Sequence, residues 1–205
     1  RKALTETNGD FEAAIDWLRK QGQKVAAKRS DREAKEGVVI AKTNSDNTKG
    51  YIVNISCETD FVSKNADFVA FAESIANAAV ENNVASVEAL NDATVGAAKV
   101  SDLINDKLAA IGEKIGIANF EVVEAPYVAS YIHGANRIGV LVGFNKDAGD
   151  AGKDVAMQIA ALNPLAVDPE SISKETVDRE RAVIIDTMKA DPKMEGKPEE
   201  MIAKI

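Results

Sequence analysis

The sequence predicts an α+β protein, and three features of its pattern lead there. Two alternating, β-branched runs, Val38-Val39-Ile40-Ala41 and Tyr51 to Ile55, flank the turn-forming Asn44-Ser45-Asp46-Asn47 and read as a hairpin. Apolar residues at helical spacing follow, the clearest set being Phe68, Phe71, Ala72, Ile75, Ala76 and Ala79. The order hairpin, helix, helix then returns as strands, helix, helix. That order hints at two related α+β halves, although no residue-level repeat accompanies it.

The elements follow in chain order. Arg1-Lys2-Ala3-Leu4 reads as the tail of a helix, Asn8-Gly9 as a turn, and Asp10 as the N-cap of the next helix. Phe11, Ala14, Ile15 and Leu18 stripe that helix, Trp17 broadens the stripe, and Gly22 stands where a C-terminal stop belongs. Two helices this short do not hold a core alone, so a preceding helix is expected to be missing. Residues 1 to 22 are therefore expected to dock loosely or to pack on another chain. Between Arg19 and Lys35 lie seven basic residues, Arg19, Lys20, Lys24, Lys28, Arg29, Arg32 and Lys35, against Asp31 and Glu33. A solvated linker with helical tendency accounts for them. A weak contact with an acidic partner or ribosomal RNA is the sharper alternative.

A long helix begins near Ala66 or Asp67 and runs to Val80. Val100 to Ile115 form another, with Ile104, Leu108, Ile111 and Ile115 on one face. By that phase Ile111 faces the core, and Gly112 weakens the helix by about 1 kcal/mol relative to Ala. Strands are expected at Phe120 to Val123, Tyr127 to Ile132 and Ile138 to Phe144, the last two joined by Gly134-Ala135-Asn136-Arg137. A helix from Gly152 to Leu162 should carry Val155, Ile159 and Leu162 towards a core. Pro164 and Pro169 break the chain before a helix of Lys174 to Ala190, and Pro198 fits the first turn of a final one. Met201, Ile202 and Ile205 end the chain as an apolar face with nothing after it, so an open sheet edge or apolar patch is expected in the second half.

Composition narrows the function. In 205 residues, Lys+Arg 25 against Asp+Glu 33 leaves a net charge of −8. An acidic balance argues against a generic or sequence-specific nucleic-acid binder, which needs a basic surface. The single Cys57 gives no disulfide framework and no thiolate metal site, and it reads as a small buried hydrophobe. No apolar run reaches membrane-spanning length and no secretory leader opens the chain, so the expected setting is a reduced aqueous compartment, cytoplasmic or an organelle matrix. Neither a Gly-x-x-x-x-Gly-Lys-Ser/Thr loop nor Gly-x-Gly-x-x-Gly is present, so direct nucleotide binding is not expected. His133 is the sole histidine, which excludes a multi-histidine metal site, and no Gly-x-Ser-x-Gly elbow supports a serine triad. No cofactor is implied, and a binding protein is favoured over an enzyme that uses scattered carboxylates.

The junction Cys57-Glu58-Thr59-Asp60-Phe61-Val62-Ser63-Lys64-Asn65 is the most informative segment. Extending the following helix backwards puts Lys64 and Asn65 three and four residues beyond Phe61. Phe61 thus lacks apolar partners at helical spacing. On spacing alone, the commoner reading is a turn whose Phe tucks under its own sheet. The alternative is an exposed anchor for a partner's pocket.

Thr59-Asp60-Phe61-Val62 resembles the Thr-Asp-Phe-Val motif of the elongation factor Ts family, guanine-nucleotide exchange factors for elongation factor Tu. Four further blocks are similar to that family in the same order. They are Lys2-Ala3-Leu4-Thr5-Glu6 with Asn8-Gly9-Asp10 and Ala14-Ile15; Lys28-Arg29 with Glu36-Gly37-Val38; Ile111-Gly112-Glu113; and His133-Gly134-Ala135-Asn136-Arg137-Ile138-Gly139-Val140-Leu141-Val142. The resemblance implies five regions. These are a partial ubiquitin-associated-type helical module (1–22), a basic linker (23–36), two core subdomains (37–125 and an incomplete 126–170), each with a small antiparallel sheet against helices, and a truncated helical dimerisation-like region (171–205). It implies elongation factor Tu as partner and leaves a homodimer open. It implies that Phe61, flanked by Thr59, Asp60 and Val62, inserts into the GTPase domain, and that Ile111, Gly112 and His133 touch the same partner. Arg1 or Lys2 aligns with a basic contact of the helical module. The tip after His133 is one residue longer than in some members. A rival reading, a ubiquitin-type recognition module on a scaffold, rests on residues 1 to 22 alone. Release of fluorescent GDP from elongation factor Tu separates the three readings.

Overall fold

The computed structural model describes residues 1–29 and 31–190. The chain falls into two compact units, residues 1–161 and 162–205. The first contains β1 (Glu36–Thr43), β2 (Lys49–Cys57) and, much later, β5 (Gly116–Glu124), which form an antiparallel sheet in the order β1-β2-β5. The period-2 pattern of these strands sends Val38, Ile40, Tyr51, Val53, Ile55 and Phe120 to one face, where they are buried. On that face lies α4 (Ala66–Glu81), which supplies Phe68, Ala72, Ile75, Ala76 and Ala79. Burying each of the larger side chains contributes about 1.5–3 kcal/mol. Tyr51 is buried but satisfied, since its hydroxyl donates to Asn83 Oδ1 at 2.9 Å. Cys57 is buried as expected, and burial pushes its thiol up to about 11.

Two short elements, α5 (Val87–Asp92) and the β3–β4 hairpin (Thr94–Val95, Ala98–Lys99), lead to α6 (Val100–Ile111). None of these was predicted except α6, which is shorter than its pattern implies. Gly112, with a left-handed φ of 79°, caps α6 at the position expected to lie inside it. Ile115 is still buried, but it reaches the core from the path into β5 and not from a helix.

The opposite face of the sheet carries a second hairpin, β6 (Tyr127–His133) paired antiparallel with β7 (Ile138–Phe144). Close approach of the two layers requires glycine. A Cβ on Gly139 would sit 2.5 Å from Val39 Cγ1, and one on Gly50 would sit 2.7 Å from Val128 Cγ1. Among the described residues β6 and β7 pair only with each other, which leaves the expected open edges in the second half. Outside them, α7 (Gly149–Leu162) packs through Gly152 and Ala156, with Gly152 against Ala129 and Tyr127. Val155 and Leu162 were expected to face a core, but both are exposed. The small residues win because the helix lies too close to the hairpin for a larger side chain.

The N-terminal helices are α1 (Lys2–Glu6) and α2 (Phe11–Arg29), with Asp10 accepting the Ala13 N–H at 2.9 Å as the N-cap. The stop expected at Gly22 is not there. Gly22 is buried against α6, and a Cβ on it would lie 3.3 Å from Ala109 Cβ and 3.4 Å from Asn105 O. The helix therefore runs on through much of the basic segment, and α2 docks on its own chain. Phe11 and Leu18 remain exposed. The second unit holds a 3-10 turn, Pro169–Ser171, which Asp168 caps, and then α8 (Lys174–Ala190), as the sequence predicts. Val183 and Ile184 of α8 are exposed. The final helix expected from Pro198, with Met201, Ile202 and Ile205, lies outside the described residues. Among the described residues no helix is long and apolar enough to cross a membrane.

Candidate partner-binding site

Between β2 and α4 the chain makes one helical turn, α3 (Asp60–Ser63). Lys64 ends it and Asn65 caps α4, with its side chain accepting the Asp67 and Phe68 N–H groups at 2.8 and 3.3 Å. Two phenylalanines seven residues apart then meet opposite fates. Phe68 is 1% exposed in the core, whereas Phe61 is 84% exposed. The reading in which Phe61 tucks beneath its sheet is thus overturned. Ser63 faces inward and Val62 packs at the edge of the core, so the single turn has no orientation left for Phe61 except outward. Asp60 pairs with Lys64 at 2.6 Å, and the Lys64 ammonium holds its carboxyl below the ordinary value. That pair is exposed and contributes little to stability.

Beside Phe61 runs a groove of about 370 Å³, lined among others by Val62, Asp67, Lys107, Ala110 and Ile111. Ile111 was expected in the core, but it is 38% exposed and forms part of this wall. Lys107 Nζ lies 4.9 Å from the Phe71 ring centre, a cation–π contact at the groove's edge. Gly112 directly follows the groove wall and turns the chain away from α6.

The loop entering α3 is fixed from both sides. The Glu113 carboxylate accepts the N–H groups of Glu58 and Thr59, both at 3.1 Å, and the Thr59 hydroxyl at 2.7 Å. The Glu58 carboxylate accepts the Lys114 N–H at 2.6 Å and bonds from Arg29 and Arg32 at 3.0 and 2.9 Å. Lys114 N–H above all, with Arg32 and Arg29, holds the Glu58 carboxyl far down, from 4.5 to about 2. Arg29 and Arg32 are therefore committed to an internal ion pair, which corrects the purely solvated account of the basic segment.

Thr59, Asp60, Phe61, Val62, Ile111 and Gly112 are thus gathered in one neighbourhood. His133 is not among the groove residues. It ends β6, exposed, with Nδ1 hydrogen-bonded to the Tyr131 hydroxyl at 2.9 Å. The longer tip is accommodated by three successive left-handed residues, Gly134, Ala135 and Asn136 (φ 62°, 53° and 65°). Asn136 then bonds to β1, accepting from Val39 N at 2.8 Å and donating to Val39 O at 3.1 Å. Sequence reasoning missed Glu58, Glu113, Arg29 and Arg32 as parts of the site. The available signal was that Arg29 and Glu113 lie within two of the matching blocks and Glu58 directly before a third. Among the described residues no cluster of His, Cys, Asp and Glu is placed to hold a metal ion.

An exposed aromatic on a braced turn beside an open groove is the feature this region presents to solvent. The comparisons with known proteins place the chain among the translation elongation factors. A family profile described as "Elongation factor TS" matches residues 58–205. The chain is 47% identical over 208 residues to elongation factor Ts of Christiangramia forsetii, covering 100% of this chain and 74% of that one. It is 43% identical to that of Flavobacterium psychrophilum at the same coverage, and 42% identical to that of Clostridium acetobutylicum over 100% of this chain and 69% of the relative. The chain belongs to the elongation factor Ts family.

Proposed function

We propose that this chain is a guanine-nucleotide exchange factor that binds elongation factor Tu and promotes release of GDP. The observation that carries the proposal is Phe61, 84% exposed on a turn held before it by the Glu58 and Thr59 N–H bonds to Glu113 and after it by buried Ser63. Exchange needs no covalent chemistry. The factor must bind the nucleotide-free GTPase better than the GDP form, so that each ligand weakens the other by the same factor. Phe61 inserts between helices of the GTPase domain and displaces the segment that supports its magnesium ion. Burying one Phe supplies about 1.5–3 kcal/mol, enough for a local rearrangement but not for expelling GDP alone.

The remainder comes from further contacts. Asp60, Val62, Ile111 and Gly112 adjoin Phe61, while His133 makes a separate contact from its hairpin tip. Residues 1–22, a partial ubiquitin-associated-type module, dock elsewhere on the same GTPase domain, and the region 171–205, helical over Lys174–Ala190, serves as the dimerisation-like region. GTP then displaces the factor by the reverse coupling. The setting is cytoplasmic. Fluorescent GDP preloaded on elongation factor Tu should leave much faster when this protein is added. An unchanged release rate at saturating protein removes the proposal.

A further inference from the structure

The turn that presents Phe61 has no side-chain N-cap of its own. Thr59 holds the N-cap position of α3 with φ −125° and ψ 154°, yet its side chain accepts none of that helix's N–H groups. A threonine there ordinarily accepts from the second or third amide of the helix. Here the hydroxyl is turned the other way and donates to Glu113 Oε1 at 2.7 Å. The other carboxylate oxygen of Glu113 takes the Glu58 and Thr59 N–H groups. In exchange, Glu58 takes the N–H of Lys114, the residue after Glu113. Two turns distant in sequence thus close on each other's backbone, each through its own carboxylate. The buried Cys57 thiol adds a third tie by donating to Thr59 O at 3.3 Å.

A single helical turn does not persist alone in water. Phe61, being exposed, gains no direction from packing. What fixes the direction of Phe61 is therefore the anchoring of the residues on either side of it. On the C-terminal side Ser63 is buried and Asn65 caps α4. On the N-terminal side the anchor is Glu113. Bonds to an ionised acceptor are stronger than neutral ones, and a pre-set loop loses less freedom on binding.

We infer that Glu113 is a positioning residue for nucleotide exchange, aiming Phe61 by holding Glu58 and Thr59. The inference rests on the reading of Phe61 as the inserting residue. In that role Glu113 acts only through Phe61, whereas a merely structural Glu113 would act whether Phe61 is present or not.

The test is stimulated release of fluorescent GDP from elongation factor Tu at saturating factor, with Glu113→Ala, Phe61→Ala and the double variant. Glu113→Ala should lower the maximal rate roughly tenfold, about 1.4 kcal/mol of barrier. Glu113→Gln, which keeps an acceptor oxygen, should recover most of the loss. In the Phe61→Ala background Glu113→Ala should change nothing further. Amide hydrogen exchange at Glu58 and Thr59 should quicken in Glu113→Ala while that of α4 stays unchanged. If Glu113→Ala does not fold, Thr59→Val removes only the hydroxyl and should slow release about threefold, again only with Phe61 present. An equal loss with and without Phe61 overturns the positioning role. So does a normal rate in Glu113→Ala when Phe61→Ala is slow, and in that case the insertion of Phe61 still stands. Parental rates in all the variants remove both.

Discussion

Truncating Phe61 to alanine separates a partner-facing role from a structural one, because the two phenylalanines of this region differ so widely in exposure. Phe61 is 84% exposed and Phe68 1%. Phe68→Ala opens a cavity beneath the sheet and should destabilise the fold by about 3–5 kcal/mol. Phe61→Ala removes almost no buried area within the chain, so its effect should lie within about 0.5 kcal/mol. For a chain of this size about 1 kcal/mol moves the unfolding midpoint by roughly 2–4 °C. Phe61→Ala should therefore melt within about 2 °C of the parent, while Phe68→Ala melts far lower. Against elongation factor Tu the ranking reverses. The ring's burial in the complex, about 1.5–3 kcal/mol, corresponds to a loss of roughly 10- to 150-fold in stimulated GDP release. Differential scanning fluorimetry and stopped-flow release of fluorescent GDP on the same samples check both halves. A large fall in melting temperature, or release at the parental rate, would refute the reasoning.

Changing His133 to Ala should weaken the complex with elongation factor Tu by about 1 kcal/mol while leaving Phe61-dependent release at saturation intact; calorimetric titration at parental affinity removes His133 from the interface. Glu58 binds fewer protons folded than unfolded, because its carboxyl is depressed from 4.5 to about 2. Its contribution to stability is thus complete above about pH 4.5 and is lost as the pH falls through about 2; urea titrations across that window should show Glu58→Gln with a flatter acid dependence than the parent. Gly139→Ala should destabilise by about 1–3 kcal/mol, since its Cβ would meet Val39 Cγ1 at 2.5 Å on a stiff β-branched side chain. Gly116→Ala, with nothing within 4 Å, should be near neutral in the same chemical denaturation series.

Much of the fold was legible because strand and helix periods are local. The alternation of residues 38–41 and 51–55 and the stripe from Phe68 to Ala79 each need only their own sequence. The errors fall where a neighbour decides. Gly22 looks like a helix stop, and only the proximity of Asn105 and Ala109 makes it a packing position inside a longer helix. Ile111 and Ile115 share a helical face on paper, but Gly112 takes up a left-handed φ and sends them to opposite environments. Val155 lost its place to Gly152 and Ala156 because the separation between helix and hairpin is invisible in one dimension. In the site, Phe61 could be noticed from what it lacks, a set of apolar partners. The crossing of Glu58 with Glu113 could not, since it joins residues far apart in the chain and shows no pattern in either segment.

The central strand β2 acquires its second neighbour only when β5 arrives, after α3 to α6 have intervened. On a ribosome adding roughly 5–20 residues per second, β2 therefore waits several seconds with one edge bare. That edge belongs to Tyr51-Ile52-Val53-Asn54-Ile55, a run with no charge and no proline, the composition that pairs readily with foreign strands. The nascent chain is most prone to aggregation in that interval. Lengthening it, by slow codons between residues 58 and 115, should lower the soluble yield without altering the stability of the molecules that finish folding.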